Sequence, residues 1–170
     1  SRPAPQSLKK KKRRFFSLCD RSYLSPAFQK LLAQPEAIFL EAETRILKAG
    51  RTATVAQIHL DKHKLVIKRY NRKGFWHSLR LLFKRSRAKL SWQVAHHLHF
   101  VGLATAKPVA FIEKRFFGLR RETYFVMEYV EGLRADAFFD AQPSDSHQSA
   151  ILAKKIIALF FNLARLRLSH

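Results

Sequence analysis

The chain has 170 residues, 47% of them hydrophobic, and a formal net charge of +21. Its apolar content, with fifteen phenylalanines, excludes a disordered chain, and its length fits one domain or one and part of another. The charge calls for an anionic partner, whether nucleic acid, a membrane surface or a phosphorylated glycolipid, while the one cysteine, Cys19, excludes an internal disulfide and fits a reducing compartment as a half-buried thiol.

Ser1 to Ser7, with Pro3 and Pro5, reads as a flexible tail. Lys9, Lys10, Lys11, Lys12, Arg13 and Arg14 then form a polybasic run ahead of Phe15 and Phe16. Near an anionic leaflet each such residue contributes about 1 kcal/mol; a solvated charged tail is the competing reading. Phe15 to Cys19 is too short for the apolar part of a signal peptide. Ser25 and Pro26 suit the cap and first position of a helix with Phe28, Leu31 and Leu32 as its apolar stripe, ending near Gln34-Pro35. A second short apolar piece, Ala37 to Ala42, leads on. Residues 1–43 are therefore expected to be a basic tail and a helical extension packed on the strands of residues 44–130.

Strands are expected at Thr44–Ala49, Ala53–Leu60 and Lys64–Tyr70, divided by Gly50 and by Asp61-Lys62-His63. Such short connections force antiparallel pairing. Asn71 to Gly74 breaks the pattern. A basic helical region begins at Phe75, with Leu79, Leu82, Phe83, Leu90, Val94, Leu98 and Val101 spaced as one apolar stripe and Gly102 as its stop. Thr105–Ile112 and Glu122–Tyr129 complete five strands, around a basic tip at Glu113 to Arg120. Leu133–Asp140 suits a short helix and Gln142 to Ser146 a loop. Ser146–Leu168 reads as a long amphipathic helix that buries Ile151, Leu152, Ile156, Leu159, Phe160, Leu163 and Leu166. Its longest apolar stretch, Ile156 to Ala164, is far short of the roughly 20 residues of a membrane span. The chain is thus expected to be α+β, with residues 44–130 as a sheet lobe and 131–170 as a connector and helices.

The chemistry centres on Ile46 to Tyr70. A turn of small residues brings backbone N–H groups close to phosphate oxygens, and a lysine on a neighbouring strand adds a point charge. Gly50, Arg51 and Thr52 stand at the turn and Lys68 ends the third strand. An ordinary hairpin turn and a surface lysine remain the competing readings. His96, His97 and His99 include an i, i+3 pair, but no Cys, Asp or Glu lies near them. A helix face near bound anions therefore fits better than a metal site. The basic set Arg69, Arg72, Lys73, Arg80, Lys84, Arg85, Arg87 and Lys89 exceeds what a solvated face requires, and could grip phosphorylated glycolipid or anionic headgroups.

Lys48 to Val55 sits on the glycine-rich loop pattern of protein kinases, keeping only the middle glycine, Gly50. Ala53 stands in the place of the last glycine and Val55 matches the valine after it. Leu65-Val66-Ile67-Lys68 looks like the V-A-I-K strand, and Met127-Glu128-Tyr129-Val130-Glu131-Gly132 like the hinge. With Ser91-Trp92, Gly102 to Pro108 and Arg121 to Tyr124, the chain resembles the bacterial lipopolysaccharide core kinase family over roughly 44–170. The resemblance implies a protein-kinase-like small lobe, a five-stranded antiparallel sheet plus C-helix, with the first helices of the large lobe. It implies ATP and Mg2+ as cofactors, and a Kdo or heptose sugar of the inner lipopolysaccharide core, or a lipid A precursor, as partner. The work would be done in the cytoplasm, peripherally at the inner face of the inner membrane. Lys68 would clamp phosphates, Gly50, Arg51 and Thr52 would cover them, and the backbone of Glu128 and Val130 would hold adenine.

Two departures qualify that picture. Protein kinases pair the strand lysine with a glutamate of the C-helix, yet no Asp or Glu occurs between Asp61 and Glu113. Glu122 is the candidate substitute. The chain also stops at His170, where the family's His-Gly-Asp loop would begin, so the catalytic and magnesium-binding carboxylates are expected after it. Phosphoryl transfer needs them, and the chain by itself is expected to be inactive. The competing class is a basic anion-binding protein, for nucleic acid or membrane, without catalysis. Against nucleic acid, no recognised module is visible and the aromatic residues follow core spacing.

Overall fold

A computed structural model describes residues 7–12, 15–71, 86–116, 119–133, 135–141 and 147–165. The chain divides into two compact units, Ser1–Val130 and Glu131–His170. In the first, seven strands make one antiparallel sheet: β1 (Ser7–Lys12), β2 (Phe15–Asp20), β3 (Arg45–Ala49), β4 (Ala53–Leu60), β5 (His63–Tyr70), β6 (Pro108–Phe116) and β7 (Leu119–Glu128). Their spatial order is β1-β2-β6-β7-β5-β4-β3. Helix α1 (Pro26–Ala33) and two 3-10 turns, Arg21–Tyr23 and Ala37–Leu40, connect β2 to β3. Helix α2 (Arg87–Phe100) precedes β6.

The α+β class and the antiparallel sheet agree with the sequence. Five of the strands are the expected ones, and β4 pairs β5 across a two-residue turn in which Asp61 takes φ 52°. Aspartate tolerates this left-handed backbone better than most residues. The other two strands are a correction. The polybasic run is strand as far as Lys12, not a free tail; Arg13 and Arg14 lie outside the described residues. The reason is β2, which has apolar residues on both faces. Phe15 and Cys19 join one core, Phe16 and Leu18 the other, and β2 pairs with β6 from Phe15↔Lys114 to Cys19↔Ala110. That docking carries the lysines along in register as an edge strand, a position that lysine suits.

The sheet is covered on both faces. On the outer face, Tyr23, Phe28, Leu31, Leu32 and Ile38 pack on Ile58, Leu65, Ile67, Tyr124 and Val126. Ser25 caps α1 as expected, its Oγ accepting from the Phe28 amide at 3.0 Å. Phe28 is 1% exposed, so Phe28→Ala should cost about 3–5 kcal/mol, the usual loss for a buried phenylalanine. Chemical denaturation will measure it; a loss under about 1 kcal/mol, the size of a surface effect, would show that the extension is not part of the core.

On the inner face α2 packs against Tyr70, Phe111 and Phe125 through Ala88, Trp92 and Ala95. This corrects the expected stripe: Leu90 is 51% exposed and Val101 is exposed too. Two alanines let the helix backbone approach the aromatic rings closely, which a leucine stripe would prevent. The part of that helical region before residue 86 lies outside the described residues, with Arg72, Lys73, Arg80, Lys84 and Arg85.

The second unit holds α3 (Ala135–Ala141) and α4 (His147–Arg165). Ile151, Leu159 and Phe160, expected to be buried, are exposed; two helices are too little structure to enclose them. Leu166 and His170 lie outside the described residues. Among the described residues, no helix is long and apolar enough to cross a membrane.

Candidate functional site

The turn between β3 and β4 is built from its backbone outward. The Gly50 amide donates to the Ala53 carbonyl at 3.0 Å, so it is committed to closing the turn. A Cβ at Gly50 would sit 3.1 Å from that same oxygen, a reason for glycine that holds with or without a ligand. Arg51 and Thr52 form the exposed tip. Asn71, just past β5, ties the tip down: its Nδ2 donates to the Gly50 carbonyl at 2.8 Å and its backbone N–H to the Thr52 carbonyl at 3.0 Å. Asn71 Oδ1 in turn accepts from Arg69 Nε.

Lys68 lies directly opposite Val55 on β4 and Phe125 on β7. Opposed residues of antiparallel strands share a face, so Lys68 is on the inner face, with α2. Val66, opposite Met127, is on the same face one step along. Lys68 is thus flanked by an apolar patch of Val55, Val66 and Met127. Half-buried, it has no carboxylate within ion-pair distance among the described residues; its Nζ stands 5.1 Å from the centroid of the Tyr70 ring. The guanidinium of Arg87, in the first turn of α2, stands 5.3 Å from the same ring. The Tyr70 hydroxyl meets Ser91 Oγ at 2.7 Å. The sequence put Arg87 in a broad basic surface; the fold brings it beside Lys68.

Glu122 and Lys68 are not brought together. Glu122 shares its strand parity with Tyr124 and Val126 of the outer core, and pairs with Lys114 at 3.6 Å. The carboxylate on the Lys68 face is Glu113, opposite Thr123. It is 2% exposed and accepts from Ser86 Oγ at 2.5 Å and from Arg115 at 2.8 Å. Ser86 caps α2, its Oγ also accepting from the Lys89 amide at 3.1 Å. Glu113 therefore anchors the start of α2.

The segment read as a hinge leaves β7 at Glu128. The Glu128 amide donates to the Lys107 carbonyl and the Tyr129 amide to the Lys64 carbonyl, each at 2.9 Å. The Glu128 carboxylate accepts a hydrogen bond from Tyr23 Oη. Burial, then this carboxylate, raises the Tyr23 pKa, so the phenol stays a donor. Val130 is 65% exposed.

His96 is half-buried with its ring 4.3 Å from Trp92, edge-on, and burial lowers its pKa; it is held neutral as a packing residue. His97 and His99 are exposed. A cavity lined by Lys30, Leu31, Gln34, Ile38, Glu41 and His59 lies beside α1 at the β4–β5 turn, at the end of the hairpin remote from Lys68. Of the basic residues of the N-terminal run, Lys9, Lys10, Lys11 and Lys12 are in β1.

A family model described as lipopolysaccharide kinase (Kdo/WaaP) matches residues 29–170. No curated protein matches the chain. A solved structure of WaaP in complex with acyl carrier protein is similar over 69% of this chain, with 18% sequence identity and a TM-score of 0.44; the chain spans 44% of that structure's length.

Proposed function

Because the chain belongs to the lipopolysaccharide kinase (Kdo/WaaP) family, we propose that it supplies the nucleotide-binding part of an ATP-dependent kinase that phosphorylates a Kdo or heptose sugar of the lipopolysaccharide inner core. The observation that carries this reading is the inner-face arrangement at Lys68. An ammonium without a carboxylate partner among the described residues stands beside the apolar patch of Val55, Val66 and Met127. A base needs the patch, and a triphosphate needs the charge. Arg87, close by on the Tyr70 ring, would be a second phosphate cation, with a planar fork suited to phosphate oxygens. The tip residues Arg51 and Thr52 would cover the phosphates. The backbone at Glu128 and Val130 would meet the adenine edge.

Magnesium would accompany the nucleotide. The described residues do not fit it: no three His, Cys, Asp or Glu side chains cluster among them, and Glu113, sealed from solvent, is already bonded. This reading therefore gives them no part in holding the metal. The net charge of +21 would keep the protein against anionic lipid at the cytoplasmic face of the inner membrane, with Lys9 to Arg14, Arg80, Lys84 and Arg85 contributing.

Calorimetric titration with ATP tests the reading, with duplex DNA as the rival ligand. The expected result is saturable ATP binding, weakened in Arg87→Ala. DNA binding with a steep salt dependence that ATP does not compete, and no ATP binding alone, would favour a nucleic-acid protein instead.

A further inference from the structure

The segment from Asp20 to Glu36 precedes every element of the proposed nucleotide site, yet it touches that site at two separate places. At one end, Tyr23 in the first 3-10 turn donates to the carboxylate of Glu128. Tyr23 is 5% exposed and its ring is held on two sides, by His63 at 4.7 Å between centroids and by Lys107 Nζ at 4.8 Å. Lys107 also pairs with Asp20 at 3.6 Å, and its carbonyl accepts the Glu128 amide. The backbone at Glu128 is thus fixed through its amide and its side chain by groups that all converge on Tyr23.

At the other end, Glu36 stands before the second 3-10 turn. One of its oxygens accepts from Tyr124 Oη, and the other meets Arg69 Nη1 at 2.8 Å. Burial, then this carboxylate, raises the Tyr124 pKa, so that phenol too stays a donor. Arg69 reaches on to Thr54 Oγ1 at 3.3 Å and to Asn71 Oδ1 at 3.2 Å. Asn71 holds the Gly50 carbonyl at 2.8 Å. A continuous chain of polar contacts therefore runs from Glu36 through Arg69 and Asn71 to the turn that would cover the phosphates.

We propose that residues 20–36 act as a brace for nucleotide binding, with Tyr23 positioning the adenine-binding backbone at Glu128 and Glu36 positioning the phosphate-covering turn at Gly50. Neither residue touches the nucleotide. Each acts through intermediate residues, and the two act on different parts of the same ligand. The proposal rests on the nucleotide reading of the Lys68 face. It goes beyond that reading by assigning specificity: Tyr23 serves recognition of the base, Glu36 recognition of the phosphates.

The two arms can be told apart with ATP and inorganic tripolyphosphate, which shares the phosphates and lacks the base. Dissociation constants for both are measured by calorimetry on the wild-type chain, Tyr23→Phe and Glu36→Gln. Tyr23→Phe should weaken ATP by about tenfold, the weight of one charge-assisted hydrogen bond, and leave tripolyphosphate unchanged. Glu36→Gln should weaken both ligands together. Amide hydrogen exchange supplies a second reading: faster exchange at Glu128 and Tyr129 in Tyr23→Phe, and at Gly50 in Glu36→Gln. A general structural role would lower the melting temperature, leave the ratio of the two affinities in Tyr23→Phe as in wild type, and speed exchange in Glu36→Gln no more at Gly50 than elsewhere in the sheet; that result overturns the brace. If wild type binds ATP and both variants match it, the brace is again overturned while the nucleotide reading stands. If wild type binds neither ligand, the nucleotide reading falls and the brace falls with it.

Discussion

Replacing Lys68 with alanine should weaken ATP binding by about 10- to 150-fold while leaving the fold nearly as stable as before. The range is that of a lost hydrogen bond to a charged group, about 1.5–3 kcal/mol. The fold should tolerate the change because Lys68 has no carboxylate to strand: among the described residues its ammonium meets the Tyr70 ring at 5.1 Å, and a cation–π contact is worth about 0.5–2 kcal/mol from exposed to desolvated sites. Calorimetric titration gives the affinity and a thermal melt the stability. The reverse pattern, a fall in melting temperature with affinity intact, would make Lys68 a structural residue and remove the centre of the proposed site. In protein kinases the nucleotide lysine is held in an ion pair. Here two cations, Lys68 and Arg87, approach one tyrosine ring, so an arriving triphosphate would meet charge that no internal acid among the described residues has neutralised.

Glu113→Ala should cost about 1–3 kcal/mol, as expected when the acceptor of a buried hydroxyl is removed and its partner is left unpaired. The carboxylate is 2% exposed and serves both Ser86 Oγ and Arg115. Without it the cap of α2 loses its anchor to β6, and a void opens beneath the helix. Urea unfolding should show the loss, and the fluorescence of Trp92, which packs between α2 and the sheet, should change early in the transition. Glu113→Gln keeps the shape and part of the bonding, and should cost only about 1 kcal/mol. Equal effects of the two variants would mean that volume, not hydrogen bonding, holds the site. Lys107–Asp20, at 3.6 Å with both partners partly solvated, is of a kind worth about 0–1 kcal/mol.

What the chain disclosed before folding was local. Ser25 and Pro26 announce α1, and the Ser25 hydroxyl does cap it. Runs of β-branched and apolar residues broken by Gly50 and by Asp61-Lys62 mark the hairpins of β3, β4 and β5. What stayed hidden depends on partners far away in the chain. Nothing within Ser7–Lys12 favours a strand; it forms because β2 docks on β6, nearly a hundred residues on. Leucine spacing pointed to one face of α2, but the sheet offers it large rings, and small residues pack against these more closely. Glu122 looked available to Lys68 because both lie on neighbouring strands. The register decides otherwise: with Lys68 opposite Phe125, a residue of the Tyr124 set falls on the other face. The period of two was visible in the sequence, whereas the register was not. Tyr23, Glu36 and Glu113 were missed for the same reason, since a lone Tyr or Glu carries no local pattern.

The pairing of Phe15↔Lys114 through Cys19↔Ala110 also sets a timetable for synthesis. The ribosome releases β2 long before β6 exists, so an apolar strand with two open edges must wait until nearly a hundred further residues are made for its mate. Contacts so distant in sequence close slowly and leave nascent chains prone to association. The lysines immediately upstream are the kind of flanking charge that keeps such a segment soluble in the interval. Neutralising them should therefore lower the yield of soluble protein from cells more than it lowers the melting temperature of the protein recovered.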